Sequence, residues 1–112
     1  MTQTERDYDE RALPELRALV AALDEVDEEA FDTELESDIL TIEFDDGTRF
    51  VVNSHRAARQ IWMAANRSAW HFDFQPAQGQ WIAAKTGEEL WDTLARVIGD
   101  KLGRPVRLSR AG

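Results

Sequence analysis

Between Ile39 and Val52 the chain reads ILTIEFDDGTRFVV, two runs in which apolar and polar positions alternate. Leu40, Ile42 and Phe44 alternate with Ile39, Thr41 and Glu43, and Thr48, Phe50 and Val52 alternate with Arg49 and Val51. A period of two is the signature of strands. The Asp46-Gly47 step between the runs supplies the positive φ angles that a tight turn demands, so the stretch predicts a β-hairpin. Upstream, Phe31, Thr33 and Leu35 alternate with Asp32 and Glu34, a short strand with one apolar and one acidic face. Downstream, Asn53 to Ala57 predicts a turn. Gln60, Trp62 and Ala64 then alternate with Ile61 and Met63, Trp70, Phe72 and Phe74 alternate with His71 and Asp73, and a strand at Trp81 follows the Pro76 to Gly79 turn.

The period changes at both ends. From about Asp9 to Glu25 the residues Leu13, Leu16, Val20 and Leu23 recur every three or four positions, the apolar stripe of an amphipathic helix widened by Leu19 and three alanines. Pro14 removes a helical donor, so the helix is expected to start at Leu13 or Pro14, leaving residues 1 to 8 ragged. Thr86-Gly87-Glu88-Glu89 has the spacing of a capping box and predicts a second helix with Leu90, Leu94, Val97 and Ile98 on its apolar stripe. Gly103 and Pro105 give its stop, and Val106 and Leu108 can fold back over the core. The order predicts an α+β two-layer sandwich, an antiparallel sheet of about six strands with both terminal helices packed on one face. The other face is left to solvent or partners.

At 112 residues the chain is expected to form one domain, 1 to 112. It contains no cysteine, which removes disulfides and thiolate metal sites. No apolar run reaches membrane-spanning length and no secretory or transit signal opens the chain, so a cytoplasmic protein without membrane attachment is the expectation. The net charge of −9 is unevenly spread. Residues 1–47 hold seventeen acids against three arginines, and residues 48–112 hold five acids against ten lysines and arginines. The first part should draw cations or a basic protein surface and repel nucleic acid.

Two features bear on chemistry. Asp24, Glu25, Asp27, Glu28 and Glu29, continued by Asp32 and Glu34, crowd the end of the first helix, where carboxylates oppose the helix dipole. Such a run is either a solvated surface or a set of oxygen ligands for a hard cation, ferrous iron included if an imidazole such as His71 joins. Trp62 stands opposite Ile61 and Met63 in its strand. It is a binding anchor if they face the helices and core if they do not, and a strand of this length does not fix its own register. No Ser-His-Asp or Cys-His set and no phosphate-cradling glycine loop can be assembled.

Taken together, the acidic helix end, ILTIEFDDGTRFVVN, QIWMAA, WHFDF, the Trp81 strand and GEELWDTLARVIGDKLG resemble the frataxin family in its bacterial branch, from about Leu16 to Leu108. Pro14, a shorter and more Glu-rich acidic run and Trp70 depart from the family pattern. The resemblance implies two helices on one face of an antiparallel sheet and a protein of iron-sulfur cluster assembly without catalysis of its own. It implies weak binding of iron, Fe2+ or Fe3+, along a ridge of Asp24, Glu25, Asp27, Glu28, Glu29, Asp32 and Glu34. It implies contact with a cysteine desulfurase, expected at the acidic ridge, and with an iron-sulfur scaffold protein, with Asn53, Gln60 and Trp62 as the partner site on the sheet face, as iron donor or regulator, by a protein mostly monomeric with iron-induced oligomers. The competing readings are an iron oxidase, which needs a multi-ligand site containing His71, and an acidic decoy for a basic protein surface, which has no use for an outward tryptophan.

Overall fold

The structure is a computed structural model that describes residues 3–26 and 29–109. Its elements run in the order α1 (Gln3–Asp24), β1 (Phe31–Glu36), β2 (Ile39–Phe44), β3 (Arg49–His55), a 3-10 turn (Arg56–Ala58), β4 (Gln60–Ala65), β5 (Ser68–Gln75), β6 (Gln80–Ala83) and α2 (Leu90–Leu102). The six strands form one sheet in sequence order, every neighbouring pair antiparallel. Both helices lie on the same face, as the two-layer α+β reading expects.

The pleat explains which side each residue takes. Leu40, Ile42, Phe50, Val52, Ile61, Met63, Phe72 and Trp81 point to one side of the sheet and are buried under Leu16, Leu19 and Leu23 of α1 and Leu90, Leu94, Val97 and Ile98 of α2. On α1 the fully covered line is Ala12, Leu16, Leu19 and Leu23, with Leu13 and Val20 at its margins. Trp91 also lies between the helices, 7% exposed, and its indole N–H donates to the buried carboxylate of Glu15.

Four local expectations are corrected. First, α1 begins at Gln3 and carries Pro14 inside it. A proline within a helix costs about 3 kcal/mol, whereas burying three leucines stabilises by roughly 5 to 9 kcal/mol, so the helix persists through the proline. Second, the β2–β3 turn has a positive φ at Gly47 (87°) and not at Asp46. The loop spans four residues, with the Phe44 amide on the Thr48 carbonyl at 2.8 Å, and the Asp46 carboxylate accepts from the Thr48 amide at 2.9 Å. Third, Asn53 to His55 continue β3 instead of forming a turn. Fourth, Glu89, not Thr86, caps α2, accepting from the Trp91 and Asp92 amides, while Thr86 accepts from the Glu88 amide one turn earlier. Gly87, at φ 79°, lets the chain bend there so that Glu89 arrives at the cap. Burial pushes the Glu89 carboxyl above its usual range, offset in part by those two amides.

The end of α2 closes as its sequence suggests. Gly103 adopts φ 74°, and the Gly103 and Arg104 amides both donate to the Gly99 carbonyl. Val106 and Leu108 then pack against the core. The returning chain passes so close to Gly99 that a Cβ there would stand 2.9 Å from the Arg104 carbonyl oxygen. Nearby, Lys101 reaches the β2–β3 turn, donating to Asp46 and, at 3.1 Å, to Thr48. The Lys101 ammonium, with the Thr48 amide behind it, holds the Asp46 carboxyl well below the usual carboxylate range. A group with a depressed folded pKa stabilises above its unfolded pKa and ceases to do so as pH falls toward the folded value. Lys101→Met is therefore expected to melt earlier than the parent at pH 7, with the gap narrowing below about pH 4. Thermal melts at pH 7, 4 and 3 check this, and a gap that is constant or widens toward acid refutes it.

Candidate functional site

The helix-free face can be read in rows, because paired residues of adjacent strands stand side by side. One row runs Glu36, Ile39, Asn53, Trp62 and His71 from β1 to β5. Beside it lies Glu34, Thr41, Val51, Ala64 and Ala69, then Asp32, Glu43 and Arg49. On the other flank are His55, Gln60, Asp73 and Ile82. The face thus passes from carboxylates at β1, through small and apolar residues, to an aromatic and polar cluster on β3, β4 and β5. Ile39 is 47% exposed within it, the one large exposed apolar side chain among the described residues.

Trp62 projects from this face. Its neighbours Ile61 and Met63 are 0% and 2% exposed beneath the helices, and alternation sends the indole the other way. It is half-buried all the same, because two imidazoles enclose it. His55 stacks on the indole at 3.8 Å between ring centroids and His71 at 4.2 Å, with interplanar angles of 17° and 14°. The indole N–H donates to Gln60 Oε1 at 2.8 Å, and Gln60 Nε2 donates to Asp73 Oδ1 at 3.0 Å. His55 is fixed in turn, its Nδ1 accepting from the Ala58 amide at 3.3 Å. Asn53, paired with Trp62, donates to the Ser54 carbonyl at 3.1 Å. Ser54 holds Asp38 through its hydroxyl at 2.7 Å and its amide at 3.0 Å, tying the end of β3 to the β1–β2 turn. The indole is therefore oriented before any partner arrives, which lowers the ordering cost of binding.

The acids predicted as one ridge are divided between two places. Asp24, at the end of α1, accepts from Thr33 Oγ1 at 3.1 Å on the helix side. Asp32 and Glu34 flank Thr33 in sequence, so the pleat puts them on the opposite face, in line with Glu43 and Thr41. Glu25 and Glu29 are exposed near the α1–β1 connection, and Asp27 and Glu28 lie outside the described residues. Arg49 already engages Glu43 at 2.7 Å. Among the described residues, no three imidazole or carboxylate side chains come close enough to share a metal ion. Four strand spacings, roughly 19 Å, separate β1 from β5, so His71 and the β1 acids cannot ligate one ion. What the acids can do is hold hydrated, oxygen-loving cations loosely at exposed sites.

A family model described as the frataxin-like domain matches residues 1–104. The chain belongs to the frataxin family. Among frataxins named iron-sulfur cluster assembly protein CyaY, that of Thioalkalivibrio sulfidiphilus is 37% identical over 94 residues, covering 83% of this chain and 88% of the relative. The CyaY of Ectopseudomonas mendocina is 33% identical over 85 residues, 74% of this chain and 77% of its own. These relatives place the chain in the bacterial, CyaY-type branch. The frataxin structure from Psychromonas ingrahamii matches with a TM-score of 0.84 at 21% identity, over 95% of this chain and 98% of that one. Trimeric frataxin from Saccharomyces cerevisiae, complexed with ferrous iron, matches at 0.66 and 24% identity, over 93% and 89%. At such identities the two structures establish a common fold.

On this frataxin fold, the three residues that the resemblance assigned to a partner, Asn53, Gln60 and Trp62, share one face, with Trp62 bonded to Gln60 and paired across the strands with Asn53. Sequence reasoning missed His55 and Asp73, which complete it. Alternation along WHFDF does put His71 and Asp73 on one side, but His55 reaches Trp62 only diagonally across the β3–β4 pair.

Proposed function

We infer that this frataxin-family chain works in iron-sulfur cluster assembly, as its CyaY relatives are named for doing. In this reading it is a binding protein, not a catalyst. It carries iron loosely on the acids Asp24, Glu25, Asp27, Glu28, Glu29, Asp32 and Glu34. It meets a cysteine desulfurase through those acids and a scaffold protein through Asn53, Gln60 and Trp62. The observation that carries the reading is the helix-free face itself, with acids at its β1 edge and a pre-oriented tryptophan at its centre. A decoy needs only charge and has no use for an oriented tryptophan on the helix-free face.

The test is cluster formation on a purified desulfurase-scaffold pair, with and without this protein, over a range of iron concentrations. An iron donor raises the rate most when iron is scarce, whereas a regulator changes it equally when iron saturates. No effect at any iron level rejects both.

For the metal itself, titration with Fe2+ is expected to broaden the amide signals of residues 24–34 before any others. Because Asp24 and the Asp32–Glu34 pair face opposite ways, they should respond as separate weak sites. Replacing Asp24, Glu25, Asp27 and Glu28 with their amides should weaken binding while leaving the fold equally or more stable, since mutual repulsion is relieved. Binding of the desulfurase should weaken steeply with salt. Broadening centred on Asp100 or Asp92 would show the metal site to be elsewhere.

A further inference from the structure

Strand β1 is an edge of the sheet, with β2 on one side and no strand on the other. The backbone bonds of β2 determine which groups of β1 are left over. The Phe44 amide donates to the Thr48 carbonyl at 2.8 Å, and the Asp38 carbonyl accepts from the Ser54 amide at 3.0 Å, so Asp38, Leu40, Ile42 and Phe44 turn their backbone groups to β3. Ile39, Thr41 and Glu43 then turn theirs to β1, where their partners are Glu36, Glu34 and Asp32. Phe31, Thr33 and Leu35 are left directing N–H and C=O away from the sheet.

Phe31 is only 5% exposed, so the open stretch is Thr33 and Leu35, both half-buried between the exposed residues Asp32, Glu34 and Glu36. Among the described residues, no other element makes a backbone hydrogen bond to these two. α1 meets Thr33 through its side chain, the hydroxyl donating to Asp24, and not through its backbone. Asp32, Glu34 and Glu36 project to the helix-free face, and the first two help to wall a hollow there with Thr41, Glu43 and Arg49. Glu43 in that hollow is already held by Arg49 at 2.7 Å. Charged residues on an edge strand keep sheets from pairing with copies of themselves, and here a second copy would set carboxylate against carboxylate.

We propose that this edge takes an extended basic segment of a partner protein as an added strand, bonded to the backbone of Thr33 and Leu35, with a lysine or arginine beside Glu34 and an apolar residue beside Leu35. Two N–H and two C=O groups supply the ladder that strand addition uses. Side chains on an added strand alternate as those of β1 do. A residue opposite Glu34 therefore lies on the helix-free face, flanked by Asp32 and Glu36, while residues opposite Thr33 and Leu35 lie on the helix side. There Leu35 packs against the core and is still partly open, which favours an apolar neighbour. Opposite charges set side by side across strands stabilise and like charges destabilise. The acids thus select a basic segment and reject a second copy, which carries a net charge of −9. Strand addition rests on the reading that the β1 acids meet a partner protein, and specifies the shape that partner takes there.

The test uses the full-length protein, 15N-labelled, with a synthetic hexapeptide of alternating valine and lysine, capped at both ends. The Thr33 and Leu35 amides are expected to exchange rapidly in the free protein and to slow at least tenfold with peptide, saturably, while the Glu34 amide, turned toward Thr41, stays slow throughout. Leu35→Pro removes one outward N–H without touching the β2 ladder, a change that edge strands accept, and should abolish the protection of Thr33. Glu34→Gln should weaken binding by roughly threefold, the scale of an exposed charge pair. The same peptide N-methylated at its valines loses the donors that face β1, and serves if Leu35→Pro disturbs the fold; it should fail to protect. Amides already protected without peptide, equal protection by a valine-glutamate peptide, or no protection at millimolar peptide each overturn the proposal. So does protection that grows with protein concentration alone, which would assign the edge to a second copy. Equal, salt-sensitive binding of the methylated peptide overturns the added strand and leaves the acids as an electrostatic contact. Whether Asp32→Asn with Glu34→Gln weakens desulfurase binding, measured separately, decides that reading on its own.

Discussion

Trp91→Ala is expected to lower stability by about 3 to 5 kcal/mol, the range for removing a large aromatic from a packed core. The indole fills the space between α1 and α2, and its N–H satisfies Glu15, which is only 6% exposed. Truncation leaves both a cavity and a buried carboxylate that has lost this donor, and such losses cost about 1 to 3 kcal/mol by themselves. Domains of this size have about 5 to 15 kcal/mol in all, so the variant should be partly unfolded near 37 °C. Trp91→Phe keeps most of the volume and loses only the donor, so it should fall between parent and alanine variant. Urea unfolding of all three decides the matter. A loss below about 1 kcal/mol for Trp91→Ala would mean that the helices do not depend on this contact.

Trp62→Ala should give the opposite result, a small stability loss and a large binding loss. The indole makes two stacked contacts and one side-chain hydrogen bond. Stacked aromatic pairs contribute about 0.5 to 1.5 kcal/mol each when fully desolvated. On an open face the sum should stay near 1 kcal/mol. Scaffold affinity, in contrast, should drop by ~2 kcal/mol or more, about thirtyfold, as for an interface anchor. A melt paired with titration of the scaffold protein checks it. Unchanged affinity, or unfolding of the variant, would remove Trp62 from the partner site.

How much of this was legible in the chain differs by feature, for physical reasons. The period of two in ILTIEF and the 3.6-residue stripe of LWDTLARVIGDKL are properties of single elements, and both appear in the structure where the pattern puts them. Pro14 misled because a local rule was outweighed by tertiary burial of Leu16, Leu19 and Leu23. Thr86 misled because the cap depends on how the chain enters the helix, and Gly87 bends that entry. The face taken by Trp62 needed the sheet as a whole, since one short strand is compatible with either register. His55 was illegible for the same reason, because a diagonal contact exists only once two strands are aligned. The acidic run looked continuous in sequence, yet strand pleating divides it. Asp32 and Glu34 share a face with Glu36 and Glu43, away from Asp24.

The strand order 1-2-3-4-5-6 also bears on how the folded state is gained and lost. Each strand meets only its neighbours in sequence, so the sheet can grow by successive hairpins with short loop closures. Among the hydrogen bonds of the described residues, those that span the most sequence lie at the helices: Trp91 with Glu15 is 76 residues apart, and Lys101 with Asp46 is 55. Docking of the helices is then the late step of folding, and contacts formed late govern the unfolding rate. The loss at Trp91→Ala should accordingly appear as faster unfolding with little change in refolding, which stopped-flow kinetics in urea would show. Slowed refolding would instead put helix docking in the nucleus. If faster unfolding is the outcome, the lifetime of the folded chain is set where α1 and α2 meet at Glu15 and Trp91, on the side of the sheet away from Trp62, so changes on the helix-free face should have little effect on how long the molecule persists.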